Sequence, residues 1–341
     1  MNGRIPRIAV DAMGGDNAPE EIVAGALLAA REGLGHIFIV GDEARIRPLL
    51  GPDVPGGIEV VHAPGAVAMD ANPSTAVRNS DGTSLGVAVN LVRDGRADAV
   101  VSAGNSGAFL AIALVRLRTI AGVARPAIAV VYPAKTGPVV VLDSGANVDC
   151  RPEWLAQFGV MGSAYARAVL GIENPKVGII SVGEERVKGN AQTIEAARLL
   201  EASSLNFVGN VEGKDVLYNA ADVCVCDGFV GNVMLKLCEG AASLMGEIVL
   251  TELKGGGLLT KLGALLVRPA LRNVRDKVSY DSYGGAPLLG LRGNCIVAHG
   301  RANRIAVRSA IRAAGAEVHE DVVGRIAELI DQSSLREANE A

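Results

Sequence analysis

The chain has 341 residues, enough at about 150 per domain for one large α/β domain or two smaller lobes. With 49% hydrophobic and 21% charged residues it can bury a sizeable core, which excludes a disordered protein. Lys and Arg total 33 against 37 Asp and Glu, a net charge of −4, and aromatics are only 3%; this balance argues against a nucleic-acid binder.

Short β-branched runs alternate with helical stretches, the pattern of a parallel sheet covered by helices. In chain order the expected strands are Ile8–Asp11, Ile37–Val40, Ala99–Ser102, Lys176–Ser181, Val223–Cys226 and Asn294–Ala298. Each is nearly continuous in apolar residues, as expected where both sheet faces are buried. Between them, Ala127–Tyr132 and Val139–Asp143 flank a Gly-containing turn and predict a hairpin, so the sheet is expected to be mixed. Helices are expected from Pro19-Glu20-Glu21 onward, from Ser84 to about Arg93 and over Ala108–Arg118. Composition shifts once, between about Glu239 and Val278, where sheet signals vanish and helical periodicity takes over. Two helices joined at Gly255-Gly256-Gly257 are predicted there, as a protrusion (239–278) from one α/β domain (1–341).

Several chemistries are disfavoured. Five cysteines, an odd and sparse set, read as reduced thiols of a cytoplasmic protein, and Cys224-x-Cys226 has no second pair to complete a zinc site. Asp11 interrupts the N-terminal apolar run, so no signal peptide is expected, and apolar stretches such as Ile22–Ala30 and Gly107–Val115 are too short to span a membrane. No Gly-x-Gly-x-x-Gly follows a strand and no Walker A motif exists. Gly82-Thr-Ser84-Leu-Gly86 matches a nucleophile elbow, but no strand feeds it, so Ser84 is expected to begin a helix instead. The four histidines lack metal-ligand spacing, and neither a metal nor a cofactor is indicated.

The strand ends share one theme: an apolar run, then Gly with Asp or Asn, then a helix. Glycine is the compositional outlier at 42 residues, and this is where it concentrates. The loops are Asp11-Ala-Met-Gly14-Gly15-Asp16-Asn17, Ser102-Ala-Gly104-Asn105-Ser106-Gly107, Asp143-Ser-Gly145-Ala-Asn147, Gly183-Glu184 through Lys188-Gly189, Asp227-Gly228 through Asn232, and His299-Gly300. In open α/β sheets, ligands bind beyond the carboxyl ends of the strands, where backbone N–H groups and helix N-termini meet. Six such loops together argue for ligand binding over glycines that merely make turns.

Together the loops resemble the phosphate acyltransferase family, which makes acyl-phosphate from acyl-acyl carrier protein for bacterial phospholipid synthesis. The resemblance rests on Val10–Pro19, Ser102–Ala108, Leu142–Asp149, Gly183–Gly189, Val223–Asn232, Tyr283–Gly290 and Ala298–Gly300, in family order. Ser106 stands where the family often has Thr, and Arg301-Ala302 where small hydroxyl residues are common. The resemblance implies a three-layer α/β/α fold like that of phosphotransacetylase and isocitrate dehydrogenase, with a mostly parallel mixed sheet, usually as a homodimer. It also implies an acyl carrier protein donor, inorganic phosphate as acceptor, and delivery of the product to a membrane-bound glycerol-3-phosphate acyltransferase.

That chemistry suits the residues. Phosphate is already anionic and a thiol of pKa about 8.5 leaves without strong acid assistance, so positioning and electrostatics matter more than a triad. Lys188 is the candidate to hold phosphate, and Asn232 and Asn105 are candidate amide donors. Asp11, Asp16, Asp143 and Asp227 are acceptors that either orient those groups or cap helices. Gly14, Gly15, Ser106, Asn147, Glu184, Gly228 and His299 complete the expected binding set. Arg301, Arg304, Arg308 and Arg312 form a basic row expected either to dock an acidic carrier protein or to be a solvated face. Leu258, Leu259 and Leu262, flanked by Lys254, Lys261, Arg268, Arg272, Arg275 and Lys277, suit an anionic membrane surface or a dimer interface. An acyl-CoA-dependent phosphotransacetylase and a non-catalytic scaffold for acyl carrier protein remain the alternatives; a β-decarboxylating dehydrogenase would need a metal-binding aspartate cluster.

Overall fold

The computed structural model describes residues 4–278 and 284–335, with the side chains of 272–278 left aside. Tyr283 of the matched segments, and the side chains of Arg272, Arg275 and Lys277, lie outside the described residues. The first part of the chain forms β1 (Arg7–Asp11), α1 (Glu20–Arg31), β2 (His36–Gly41), α2 (Glu43–Leu50), β3 (Ile58–His62), α3 (Pro73–Arg78), α4 (Ser84–Arg93), β4 (Ala99–Ser102) and α5 (Ser106–Leu117). The hairpin β5 (Ala127–Pro133) and β6 (Pro138–Leu142) follows, then α6 (Pro152–Val169), β7 (Lys176–Ile180), α7 (Ala191–Glu201), β8 (Asn206–Val211), α8 (Gly213–Val216) and β9 (Val223–Val225). The chain continues through α9 (Gly228–Gly255), α10 (Leu258–Val278), β10 (Ala286–Leu289), β11 (Asn294–Val297), α11 (Arg304–His319) and α12 (Val322–Gln332).

Among the described residues, all strands join one eleven-stranded sheet in the order β3-β2-β1-β4-β11-β10-β5-β6-β9-β7-β8. Side-chain alternation sends successive residues to opposite faces. In β1, Ile8 and Val10 pack with α1 and α11, while Ala9 joins the layer of α4 and α5. In β6, Val140 and Leu142 face α6, α7 and α12, whereas Val139 and Val141 turn to the α4–α5 side. Helices therefore cover both faces, giving the three layers expected.

The expected strands and hairpin form. Three more strands accompany them: β3, β8 and β10. The first two are sheet edges, with mostly half-buried side chains in place of the continuous apolar signature of a central strand. β10 is a four-residue strand containing Pro287, and it runs antiparallel to both β11 and β5.

Strand direction divides the six loops into two sets. Three antiparallel pairings, β11 with β10, β10 with β5 and β5 with β6, separate two parallel sets. The strands β6, β9, β7 and β8 thus run opposite to β3, β2, β1, β4 and β11. The six loops leave the hydrogen-bonded ladder at opposite ends, three from β1, β4 and β11 and three from β6, β9 and β7. Apolar patterning reveals that a strand exists but not which way it runs, so this division was not readable in the sequence.

The basic row is largely paired. Arg301 precedes α11, and the other three arginines lie along it, where Arg304 pairs with Glu21, and Arg308 and Arg312 share Glu32 of the neighbouring α1 and its cap. Packing α11 on α1 supplies counter-charges to three of the four arginines. The two predicted long helices do form, breaking at Gly256-Gly257, but α9 begins at Gly228, well before the expected protrusion. Of its 28 residues only Gly228 and Gly231 are buried.

Candidate active site

The loops after β6, β9 and β7 leave three adjacent parallel strands, with Leu142, Val225 and Ile179 side by side in register. Asp143, just past β6, is fully buried and organises the first of them. Its carboxylate accepts hydrogen bonds from the backbone N–H groups of Ile128 (3.0 Å), Gly145 (3.1 Å), Ala146 (2.9 Å) and Asn147 (2.7 Å), and from Asn147 Nδ2 (2.9 Å). Burial pushes the Asp143 carboxyl up, while these N–H donors pull it back toward the charged form. Asn147 Nδ2 donates further to the Pro126 carbonyl at 2.8 Å, so the side chain expected to bind substrate instead ties the loop to the start of β5.

Helix α9 is docked directly onto this loop. Asp227 caps it, accepting from the Val230 N–H at 2.8 Å, and the Gly228 N–H donates to the Asn147 carbonyl at 2.7 Å. The approach is too close for a side chain: a Cβ on Gly228 would stand 2.7 Å from that carbonyl oxygen, and one on Gly231 would collide with the Asp143 carbonyl. This contact brings Asn232 over Gly145, where a Cβ would meet the Asn232 side chain at 3.6 Å. Asn232 is exposed and makes no side-chain hydrogen bond among the described residues.

The third loop carries Glu184 and Lys188, both exposed. Asn210 of β8 fastens it, with Nδ2 donating to the carbonyls of Gly183 (3.2 Å), Glu185 (2.8 Å) and Lys188 (3.1 Å), and Ser181 Oγ adds a bond to the Lys188 carbonyl (3.1 Å). Gly189 turns the chain into α7 with φ 123°, a conformation that favours glycine. Gln192 Nε2 then donates to the Cys150 carbonyl at 2.7 Å, stitching the β7 loop to the β6 loop. The backbone at Lys188 is therefore held, while its ammonium has neither ion pair nor hydrogen bond among the described residues. Asn210 and Gln192 were not among the expected site residues; Asn210 lies in a strand whose signal the sequence hid, so its three bonds appear only with the fold.

The nearby thiol is not an activated nucleophile. Burial, together with Asp143 and Asp227, pushes Cys150 up to about 12, so it stays protonated at neutral pH. Ser84 is buried in the first turn of α4, behind its cap Thr83, and forms no elbow.

The loops after β1, β4 and β11 are organised differently. Asp11 is buried, its carboxyl pushed up by burial, and it accepts from Ser102 Oγ at 2.7 Å and the Met13 N–H at 3.3 Å. Gly14 packs so closely on Gly104 that a Cβ would stand 2.9 Å from its nitrogen. Asn105 caps α5, accepting from Ala108 at 2.9 Å, and its Nδ2 donates to the carbonyls of Met69 (2.8 Å) and Ala71 (3.0 Å). Both of its donors are used, so Asn105 is not the free amide expected from the sequence. His299 Nδ1 accepts from the Arg301 N–H at 3.1 Å, and the Asp16 N–H bonds the Gly300 carbonyl at 2.7 Å beside Gly15. The Asp16 and Ser106 side chains remain exposed. None of Asp11, Asp143 and Asp227 bonds to Lys188: two brace loops and one caps a helix.

A family model described as fatty acid synthesis protein matches residues 6–325. The phosphate acyltransferase of Pelotomaculum thermopropionicum is 47% identical over 97% of this chain and 97% of its own length. That of Desulforudis audaxviator is 50% identical over 94% and 95%. Among solved structures, a phosphotransacetylase from Streptococcus pyogenes superposes with a TM-score of 0.61 at 17% identity, covering 93% of this chain and 95% of that one. One from Staphylococcus aureus gives 0.59 at 16% identity over 93% and 95%. These two structures establish the likeness of fold. By sequence, along nearly its whole length, the chain belongs to the phosphate acyltransferase family of acyltransferase enzymes.

Proposed function

We propose that the protein transfers a fatty acyl group from acyl-acyl carrier protein to inorganic phosphate, releasing acyl-phosphate for phosphatidic acid synthesis. The observation that carries the reading is the unpartnered Lys188 ammonium on the braced loop after β7, with the equally unpartnered Asn232 amide on the helix that follows the neighbouring strand β9. A fixed backbone with free donors can receive an anion with little reorganisation. In this reading Lys188 holds phosphate and Asn232 donates to the oxygen of the thioester carbonyl. A phosphate oxygen attacks the carbonyl carbon, a C–O bond forms, the C–S bond breaks, and the electron pair leaves on sulfur as thiolate. The high pKa of Cys150 favours this direct attack over an acyl-cysteine relay. The test is phosphate-dependent release of carrier-protein thiol with formation of acyl-phosphate, run beside acyl-CoA as donor. Thiol release from acyl-CoA alone would replace the carrier protein as donor, and release from neither would overturn the reading.

We also place the enzyme at the cytoplasmic face of the membrane as a homodimer, handing its product to a membrane-bound glycerol-3-phosphate acyltransferase. The exposure of Leu258 (86%), Leu259 (85%) and Leu262 (57%) at the helical tip, beside Lys254 and Lys261, supports contact with an anionic membrane. No helix among the described residues is long and apolar enough to cross a membrane. Changing Leu258 and Leu259 to Glu is expected to abolish sedimentation with anionic liposomes while sparing dimerisation and activity. Normal liposome binding by the variant, or its dissociation to monomers, would remove the tip as the anchor.

A further inference from the structure

The chain's single tryptophan carries two arginines on its ring. Arg125 Cζ lies 4.9 Å from the Trp154 ring centroid and Arg151 Cζ lies 5.6 Å from it, so the two guanidiniums stand within two turns of an α-helix of each other. Ring contact orders a guanidinium and leaves its N–H donors to a further partner. Both arginines are exposed, and neither has an ion pair or side-chain hydrogen bond among the described residues. Three arginines of α11, by contrast, spend their charge on Glu21 and Glu32.

Hydrogen bonds fix this stack against the candidate site. Pro126, next to Arg125, accepts from Asn147 Nδ2 at 2.8 Å, and Cys150, next to Arg151, accepts from Gln192 Nε2 at 2.7 Å. The buried Gln157, one turn along α6 from Trp154, accepts from the Ala124 N–H at 2.9 Å and donates to the Gly122 carbonyl at 2.9 Å. These two bonds clamp the Arg125 segment to the helix that bears Trp154. A cavity of about 290 Å³ opens beside the ring, walled by Arg151, Trp154, Gln157, Leu199 and Leu335. At the other end of the Arg125 segment, the Arg292 N–H donates to the Arg118 carbonyl at 3.1 Å, and both side chains are exposed without an ion pair among the described residues.

We infer that this arginine face is where the donor's carrier protein docks, an acidic helix laying its carboxylates on Arg125 and Arg151 around Trp154. The inference rests on the acyl-transfer reading and adds where the carrier stands. Charge and position select the occupant. The chain has a net charge of −4, so an acidic protein is drawn only to a face whose cations lack carboxylates of their own. Glu153, which also lines the cavity, forms no ion pair with either arginine. Carboxylates one or two turns apart on a helix match the spacing of the two guanidiniums, and the cavity between them takes an apolar side chain. A carrier seated here adjoins the β6 and β7 loops, the second of which carries Lys188.

Because Trp154 is the only tryptophan, its emission reports occupancy of the face directly. The probe is a tryptophan-free apo acyl carrier protein, which has no pantetheine arm to enter the candidate site. Titrated into the full-length protein at low salt, it is expected to shift Trp154 emission saturably. The Kd is expected to rise at least tenfold in R125E/R151E, with the difference shrinking at high salt. With a carrier-protein thioester as substrate, the same variant is expected to raise KM at least tenfold and to retain kcat, circular dichroism confirming the fold. The neutral variant R125Q/R151Q is expected to move both constants the same way by less, and it carries the test if the charge reversal does not fold. Parental Kd and KM in the folded variants at low salt would overturn the inference. So would loss of binding to anionic phospholipid vesicles with KM unchanged, which would assign the face to a membrane. Failure of the parent protein to form acyl-phosphate from the carrier-protein thioester would overturn the acyl-transfer reading; an active parent whose KM ignores the charge reversal removes the docking face alone.

Discussion

The two sets of strand-end loops look alike in sequence and differ in what they leave free. After β1, β4 and β11, the Asn105 amide is spent on two carbonyls, Ser102 on Asp11, and the His299 nitrogen on its own turn. After β6, β9 and β7, Asp143, Asn147 and Asn210 also work internally, but they do so to brace loops on which Lys188 and Asn232 remain unpartnered. Residues of one type, in one local pattern, serve as scaffold in one place and as available donors in another. The difference lies in which carbonyls the tertiary fold brings within reach of each side chain.

The largest expected effect is at Asp143. Asp143→Ala leaves four backbone N–H groups and one amide without their acceptor in a buried loop, and is expected to cost about 3–5 kcal/mol of stability in denaturant unfolding. A loss below about 1 kcal/mol would show that the loop does not depend on this carboxylate. Lys188→Ala and Asn232→Ala are expected to reverse that pattern. Turnover should fall on the order of a hundredfold in each, the scale for losing one electrostatic donor, with the melting temperature unchanged. Parental turnover in both folded variants would reduce the contrast between the two loop sets to scaffolding.

Glu317 of α11 gives a control outside both loop sets. It is buried against Tyr165 of α6 and Cys295 of β11, its Oε1 has no partner, and burial raises its pKa from 4.5 to about 8. The unfolded chain releases this proton first, so Glu317 subtracts stability progressively between about pH 4.5 and pH 8 and by a constant amount above. Glu317→Gln is therefore expected to raise the melting temperature at pH 8, with the gain vanishing near pH 4. A gain independent of pH would mean that the carboxyl is not buried in its neutral form.

The smallest effect is expected at Asn105. Asn105→Ala loses a helix cap and two carbonyl contacts, about 1–2 kcal/mol of stability, and a modest loss of turnover that recovers when the protein is assayed at lower temperature. A hundredfold loss of turnover at unchanged stability would return Asn105 to the set of ligand donors and erase the distinction between the loops.

The central strands, the hairpin and the helix pair around Gly256 were legible because continuous apolar runs and helical periodicity are local properties. Lys188 and Asn232 became candidates through the resemblance of their loops to a family pattern, and nothing local distinguished Asn232 from Asn105. The edge strands β3 and β8 were not, since half-buried edges need no continuous apolar run. Strand direction, the pairing of the basic row with Glu21 and Glu32, and the identity of the free donors were decided only by the tertiary structure. Each depends on partners far away in the chain: β10 enters the sheet beside β5 from more than a hundred residues downstream, and Asn210 reaches the Lys188 loop from a neighbouring strand. Short-range chemistry determined which elements and motifs this protein has, and long-range packing determined which of its polar groups still have a bond to give.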